Sequence, residues 1–241
     1  MGLLPDVHSA LFGSISPTDL IATAGRALLL GHVLWILAYG LILARSARAG
    51  LLGIPLAAII LNISWEALLY GNCAGVGLRD LCGPGLSGEW SLALSFILGL
   101  DILLLAQAFV LTASVSGPSR TALVFVVALV VVYVLHANLI GLTLDYRGLV
   151  DSWIMNAIMS ALFVRLALGR PNGEGLSWLA ALAKFLGSQM VTLGLWIAPE
   201  PYALTGVRSV VVYGLAAVVA GLDLWYIGLL WRRLPPHERA A

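Results

Sequence analysis

The sequence predicts an all-α polytopic membrane protein, a bundle of seven transmembrane helices forming a single domain over residues 1–241. Three observations carry this. The 241 residues are 61% hydrophobic and only 10% charged, well below the roughly 25% charge that keeps a soluble domain wetted. Mean hydropathy is +0.99. The apolar residues fall into runs of spanning length, each needing about 20 residues to cross a hydrocarbon core, and short polar turns separate them.

The runs cover about 20–43, 51–71, 91–114, 119–142, 149–168, 176–198 and 206–231. Arg45-Ser46-Ala47-Arg48, Ser116-Gly117-Pro118-Ser119-Arg120 and Gly169-Arg170-Pro171-Asn172-Gly173 read as tight helix-to-helix turns. Residues 1–18 have no basic segment ahead of an apolar stretch. They are expected to be an interfacial lead-in to the first span, not a cleaved signal peptide. With seven spans, Arg45, Arg48, Arg120, Arg170, Arg232, Arg233 and Arg239 share one side, and the positive-inside rule makes that side cytoplasmic. Arg79, Arg147 and Arg208 lie opposite, offset by Asp80, Glu89, Asp145, Asp151 and Glu200. The N-terminus is thus expected outside the cell membrane and the C-terminus inside. Cys73 and Cys82 would share the outer loop after the second span, close enough for a disulfide or present as two free thiols. Gly214, Gly221 and Gly228 recur every seven residues and suggest a smooth packing face on the last helix.

A net charge of +1 with no Lys/Arg run gives no footprint for nucleic acid. The informative polar residues are those at membrane depth, where each ionisable group costs at least about 2.5–3.5 kcal/mol. Glu66 lies in the second span, Asp101 in the third and Asp223 in the seventh. Asn62, Glu66 and Tyr70 recur every fourth residue, so an amide, an acid and a phenol share one helix face. Tyr226 stands one turn beyond Asp223, and Trp65 and Trp225 adjoin the acids in sequence. Trp153 and Asn156, with Ser160, in span five, Gln189 and Trp196, with Thr192, in span six, and His136 in span four are weaker candidates. Polar side chains of this kind commonly bridge neighbouring helices. Acids surrounded by aromatic faces suggest a chamber that handles cations.

At these residues the chain resembles the small integral-membrane terpene cyclases of meroterpenoid and indole-diterpene pathways, the family typified by the pyripyropene and paxilline cyclases. The resembling stretch begins with Trp35-Ile36-Leu37-Ala38-Tyr39 and Gly53-Ile54-Pro55. It culminates in Asn62-Ile63-Ser64-Trp65-Glu66-Ala67-Leu68-Leu69-Tyr70-Gly71 and ends with Asp223-Leu224-Trp225-Tyr226. Asn-x-x-Trp-Glu within a second span is the more specific motif, and Asp-x-x-Tyr alone is weak. The resemblance implies that Glu66 and Asp223 are the two essential acids, and that the substrate is a prenyl chain, such as farnesyl, on an indole or other aromatic acceptor. It also implies an upstream prenyltransferase. The Arg-rich basic residues fit a bacterial member.

Asp-rich metal–diphosphate motifs and an Asp-x-Asp-Asp run are both missing from the sequence, so neither Mg²⁺ nor another cofactor is implied. A retinal protein would need a Schiff-base lysine in its last span, whereas the single lysine, Lys184, lies in span six. The expected reaction is protonation of a terminal olefin or epoxide, cyclisation through carbocations, and loss of a proton to a second group. Counting residues along the helices separates Glu66 and Asp223 by roughly 10 Å in depth. A chain entering tail-first from the inner side would then meet Glu66 as general acid and Asp223 as proton acceptor or cation stabiliser. The rival expectation is a proton-coupled transporter or binding protein for an amphipathic small molecule.

Overall fold

The computed structural model describes residues 15–73, 89–143, 148–199 and 204–234. Among them are seven helices and no strand: α1 Pro17–Ala49, α2 Leu56–Cys73, α3 Glu89–Ser116, α4 Pro118–Thr143, α5 Leu149–Leu168, α6 Trp178–Ile197 and α7 Gly206–Arg233. Six contain apolar stretches long enough to cross a bilayer: Pro17–Ala49, Ser95–Ser116, Pro118–Leu142, Leu149–Leu168, Trp178–Ile197 and Gly206–Arg233. The remaining helix, α2, has 18 residues, with an apolar portion at Leu56–Leu68. The chain is a multi-pass membrane protein.

Local chemistry sets the helix ends. Ser16 caps α1, its hydroxyl accepting from the Asp19 amide at 3.2 Å, and Gly50 closes the helix in the left-handed conformation at φ 64°. The sequence places the second span from residue 51, but α2 starts only at Leu56. The intervening loop holds Gly53 and Pro55, and the Gly53 amide donates to Ser46 Oγ at 2.7 Å, which ties it back to α1. Gly117, at φ 82°, turns the chain from the end of α3 directly into Pro118 at the start of α4.

α1 packs against α6, α5 against α7, and α2 against α3, α4 and α5. The outer faces stay apolar: on α4, Leu123, Val126, Val130 and Leu135 are each more than half exposed. Such a surface suits hydrocarbon and not water. Inside, one cluster joins Tyr39, Ile59, Leu104, Phe125, Met159, Ala180 and Tyr226, so all seven helices converge on a single apolar centre.

Close helix approach occurs at the α1–α6 seam, not on the glycine face expected for the last helix. A Cβ on Gly187 would stand 2.1 Å from Trp35 Cδ1 and 2.9 Å from the Gly31 carbonyl. One on Gly31 would meet Val191 Cγ2 at 2.7 Å, and one on Gly194 would meet Leu28 Cγ at 2.7 Å. Among the described residues nothing lies within 4 Å of the corresponding positions at Gly214, Gly221 or Gly228, so no described helix approaches closely there. Sequence spacing marked a smooth stripe there, but which stripe meets a neighbour depends on how the helices are arranged.

Gly187→Ala is expected to lower the thermal unfolding midpoint in detergent. Overpacking typically costs about 1–3 kcal/mol, more than the roughly 1 kcal/mol that Ala gains over Gly in a helix. Gly221→Ala should leave the midpoint unchanged or raise it. Equal midpoints for the two variants would remove the seam from the packing account.

Candidate functional site

The first polar cluster joins α2 to α3. Asn62 and Glu66 lie one turn apart, and the Asn62 amide nitrogen donates to Glu66 Oε1 at 2.9 Å and to Asp101 Oδ2 at 2.5 Å. All three side chains are buried, Asp101 completely. The two carboxyl groups also face each other within hydrogen-bonding reach, and among the described residues no N–H or hydroxyl donates to Glu66 Oε2 or Asp101 Oδ1 and no cation pairs with either acid. Tyr39 of α1 is buried beside them, within electrostatic range of both acids and within reach of the Asn62 side chain. Trp35, one turn earlier, meets Tyr39 edge-on at 6.3 Å between centroids. The arrangement is thus two carboxyl groups bridged by one amide and facing each other, with a phenol alongside.

The second cluster joins α5, α6 and α7 and is built differently. Lys184 Nζ donates to Asp223 Oδ1 and Oδ2 at 2.8 and 2.9 Å, to Ser160 Oγ at 2.8 Å and to Asn156 Oδ1 at 3.3 Å. Asn156 Nδ2 in turn donates to Ser188 Oγ at 3.2 Å. An ammonium has three N–H donors, and Asp223, Ser160 and Asn156 occupy them. The carboxylate is matched by a charge of the opposite sign, as a buried ion pair requires. Phe163 lies 5.9 Å below Nζ, and its ring meets that of Tyr226 at 5.4 Å. Tyr226 is buried within electrostatic range of Asp223.

The third cluster joins α4, α5 and α2. His136 Nδ1 is 2.9 and 2.8 Å from the two carboxyl oxygens of Asp151, and Nε2 is 3.2 Å from the Leu61 carbonyl. The sequence reading counts Asp151 among the charges that offset the outer arginines, but it is buried in the first turn of α5 and paired with His136. Its proximity to the helix N-terminus and its pairing with His136 make that burial tolerable.

The candidate residues therefore separate. Asn62, Glu66 and Asp101 come together, and Asn156 joins Asp223 instead. Asp223 and Tyr226 share one face of α7, three residues apart, whereas Trp225 between them is 53% exposed and points away. At about 100° per residue that is forced by the helix. Trp65 is half-buried with its indole N–H unpartnered, and packs on the central apolar cluster. Trp153 is buried in a separate cluster with Leu28, Val150, Leu195 and Val212, away from any of these acids' hydrogen bonds. Gln189 and Trp196 are half-buried on α6, and Gln189 Nε2 lacks a partner. The side chains of Tyr70 and Cys73, and all of Cys82, lie outside the described residues.

Sequence reasoning passed over Tyr39 and Lys184. Tyr39 shares a helix face with Trp35, four residues earlier, and that pairing was available as a signal. Lys184 was weighed only as a Schiff-base lysine. Its position in mid-span already required a counter-charge. In comparisons with protein-family models, curated proteins and solved structures, nothing matches this chain.

Lys184→Met should cost about 3–5 kcal/mol, because it leaves Asp223 buried without its counter-charge. The double variant Lys184→Met/Asp223→Leu should recover most of that loss. Denaturant titration of the purified variants measures both. Strict additivity of the single losses would mean that the ion pair is not coupled.

Proposed function

We propose that the chain is a membrane-bound terpene cyclase, a metal-independent enzyme that starts cyclisation by protonating the terminal olefin or epoxide of a prenyl chain. The observation that carries this reading is the Asn62-bridged pair of Glu66 and Asp101, two buried carboxyl groups facing each other with no cation beside them among the described residues. A proton is the simplest charge such a pair can share, because like charges this close resist joint ionisation. The reaction needs one of the two to hold that proton and release it to carbon.

In the step proposed for an olefin, the carboxyl O–H bond breaks as a C–H bond forms at the less substituted carbon. The π electrons supply that bond, and the positive charge is left at the more substituted carbon. Attack by the next double bond forms the ring C–C bond and moves the charge along the chain. Loss of a proton from carbon restores a double bond, so product and substrate are isomers. With an epoxide the acid proton goes to oxygen, and the C–O bond that breaks leaves a hydroxyl. Aromatic faces stabilise the travelling cation by roughly 0.5–2 kcal/mol each. Tyr39 and Trp35 supply such faces near the acid pair, and Phe163 and Tyr226 supply them near Asp223. The central apolar cluster contains Tyr39, Phe163 and Tyr226, and apolar surroundings of this kind protect a cation from water.

The two acids suit different tasks. Glu66 with Asp101 is the proton donor in this reading. Asp223, paired with Lys184, serves as cation stabiliser and final acceptor. The substrate is a prenylated aromatic or indole acceptor supplied by an upstream prenyltransferase, with the lipid bilayer as the surrounding medium. α2, at 18 residues, is proposed as the seventh crossing, placing the N-terminus outside the cell membrane and the C-terminus in the cytoplasm.

Membranes incubated with a farnesylated aromatic acceptor should yield an isomer of unchanged mass lacking the terminal olefin. Glu66→Gln and Asp101→Asn should each lower kcat/KM by about 10²–10⁴-fold and return linear substrate. Asp223→Asn should release partly cyclised or water-quenched products. The opposite pattern, with aborted products from Glu66→Gln and only linear substrate from Asp223→Asn, would exchange the roles. Substrate uptake with no isomer formed would favour the transporter reading.

Orientation is tested separately in a background lacking native cysteines. Arg208→Cys should react with a membrane-impermeant thiol reagent in intact cells, and Arg170→Cys only after permeabilisation. Labelling of both in intact cells would overturn the seven-span topology.

A further inference from the structure

Asn62 can bridge Glu66 to Asp101 only if α2 presents one particular face to α3. Helix α2 carries Asn62 and Glu66, and α3 carries Asp101, so the bridge depends on the rotation of α2 about its own axis. A slip of one residue turns that axis by about 100° and takes Asn62 away from Asp101. The hydrophobic drive that packs the helices is non-directional and does not by itself single out one rotation of α2. A directional bond to the backbone of α2 constrains it strongly.

His136 makes that bond. Its Nε2 lies 3.2 Å from the Leu61 carbonyl, the residue immediately before Asn62. A carbonyl only accepts, so Nε2 carries a hydrogen and donates. Nδ1, on the other side of the ring, faces both oxygens of Asp151 at 2.9 and 2.8 Å. A second proton must lie between that nitrogen and the carboxyl group, whichever of them holds it. The imidazole is therefore anchored at both nitrogens, to the first turn of α5 on one side and to mid-α2 on the other. His136 and Asp151 are both buried, so water does not compete for these bonds.

We infer that His136, held by Asp151, is a positioning residue that locks the axial rotation of α2 through the Leu61 carbonyl and thereby sets the geometry of the Glu66–Asp101 pair. It does not touch the reacting atoms. An amide carbonyl does not relay protons, so the clamp acts by orientation alone. The inference rests on the cyclase reading only for its effect on turnover. Its effect on the acid pair stands apart from that reading.

The test is infrared difference spectroscopy on protein reconstituted in lipid. Subtracting the Glu66→Gln spectrum from a parent spectrum isolates the carboxyl bands of the acid pair. His136→Phe keeps a ring of similar size and removes both N–H groups, so it should displace those bands. His136→Gln, which retains an N–H for the Leu61 carbonyl, should return them toward the wild-type position. With a prenylated substrate, His136→Phe should lower kcat by about 10²-fold with KM little changed, as expected when a reacting group is misplaced by about an ångström. If wild-type protein forms no isomer, the cyclase reading fails and the infrared bands still decide the clamp. If His136→Phe does not fold, Asp151→Asn, which keeps shape while altering the proton shared with Nδ1, takes its place. Displaced bands support the inference in either variant. Bands that superimpose on the wild type overturn it.

Discussion

Buried charge in a bundle surrounded by hydrocarbon must be matched inside the bundle, and the rest of this structure depends on how that is done. Among the described residues three polar clusters cross the apolar interior, and each ties two or more helices together. Lys184 with Asp223 joins α6 to α7 and draws in α5 through Ser160 and Asn156. His136 with Asp151 joins α4 to α5 and reaches α2. Asn62 joins α2 to Asp101 on α3. Apolar packing provides most of the contact, but these directional bonds select one arrangement among many of similar packing energy.

The clusters differ in what they leave unsatisfied, and that difference is chemically informative. The ammonium of Lys184 has all three of its donors occupied. The imidazole of His136 has an acceptor at each nitrogen. Of the three, only the Asn62 cluster has carboxyl oxygens that no N–H or hydroxyl reaches among the described residues, and a phenol stands beside them. Unsatisfied buried polar atoms cost stability, so a site that retains several is suited to something other than holding helices together. On this ground Glu66 and Asp101 are better placed than Asp223 to meet a substrate, although Glu66 and Asp223 are the acids that the sequence resemblance pairs.

The α1–α6 seam gives this site its aromatic wall. Gly187 has no side chain, and the indole of Trp35 lies in the space a Cβ would take. Trp35 in turn meets Tyr39 edge-on, and Tyr39 stands beside the acids. A glycine on α6 thus helps to place a phenol next to carboxyl groups on α2 and α3. The packing of one helix pair and the chemistry of another are linked through two aromatic rings.

The sequence by itself determined the membrane class, the helices and the burial of Glu66, Asp101 and Asp223. Hydrophobic run length and the cost of charge in hydrocarbon are local properties, readable without partners. It also placed Asn62 and Glu66 on one face, since a spacing of four is nearly one helical turn. Only the tertiary structure decided which acid has which neighbour. Asp101 sits among leucines in the sequence, and its pairing with Asn62 exists because α3 packs on α2 at that height. Asp223 looks as exposed to chemistry as Glu66 until α6 brings Lys184 against it. Trp225, adjacent in sequence, is carried away by the turn of its own helix. Helix rotation and neighbour choice arise from contacts between segments far apart in the chain, and those contacts leave no periodic trace in either segment alone.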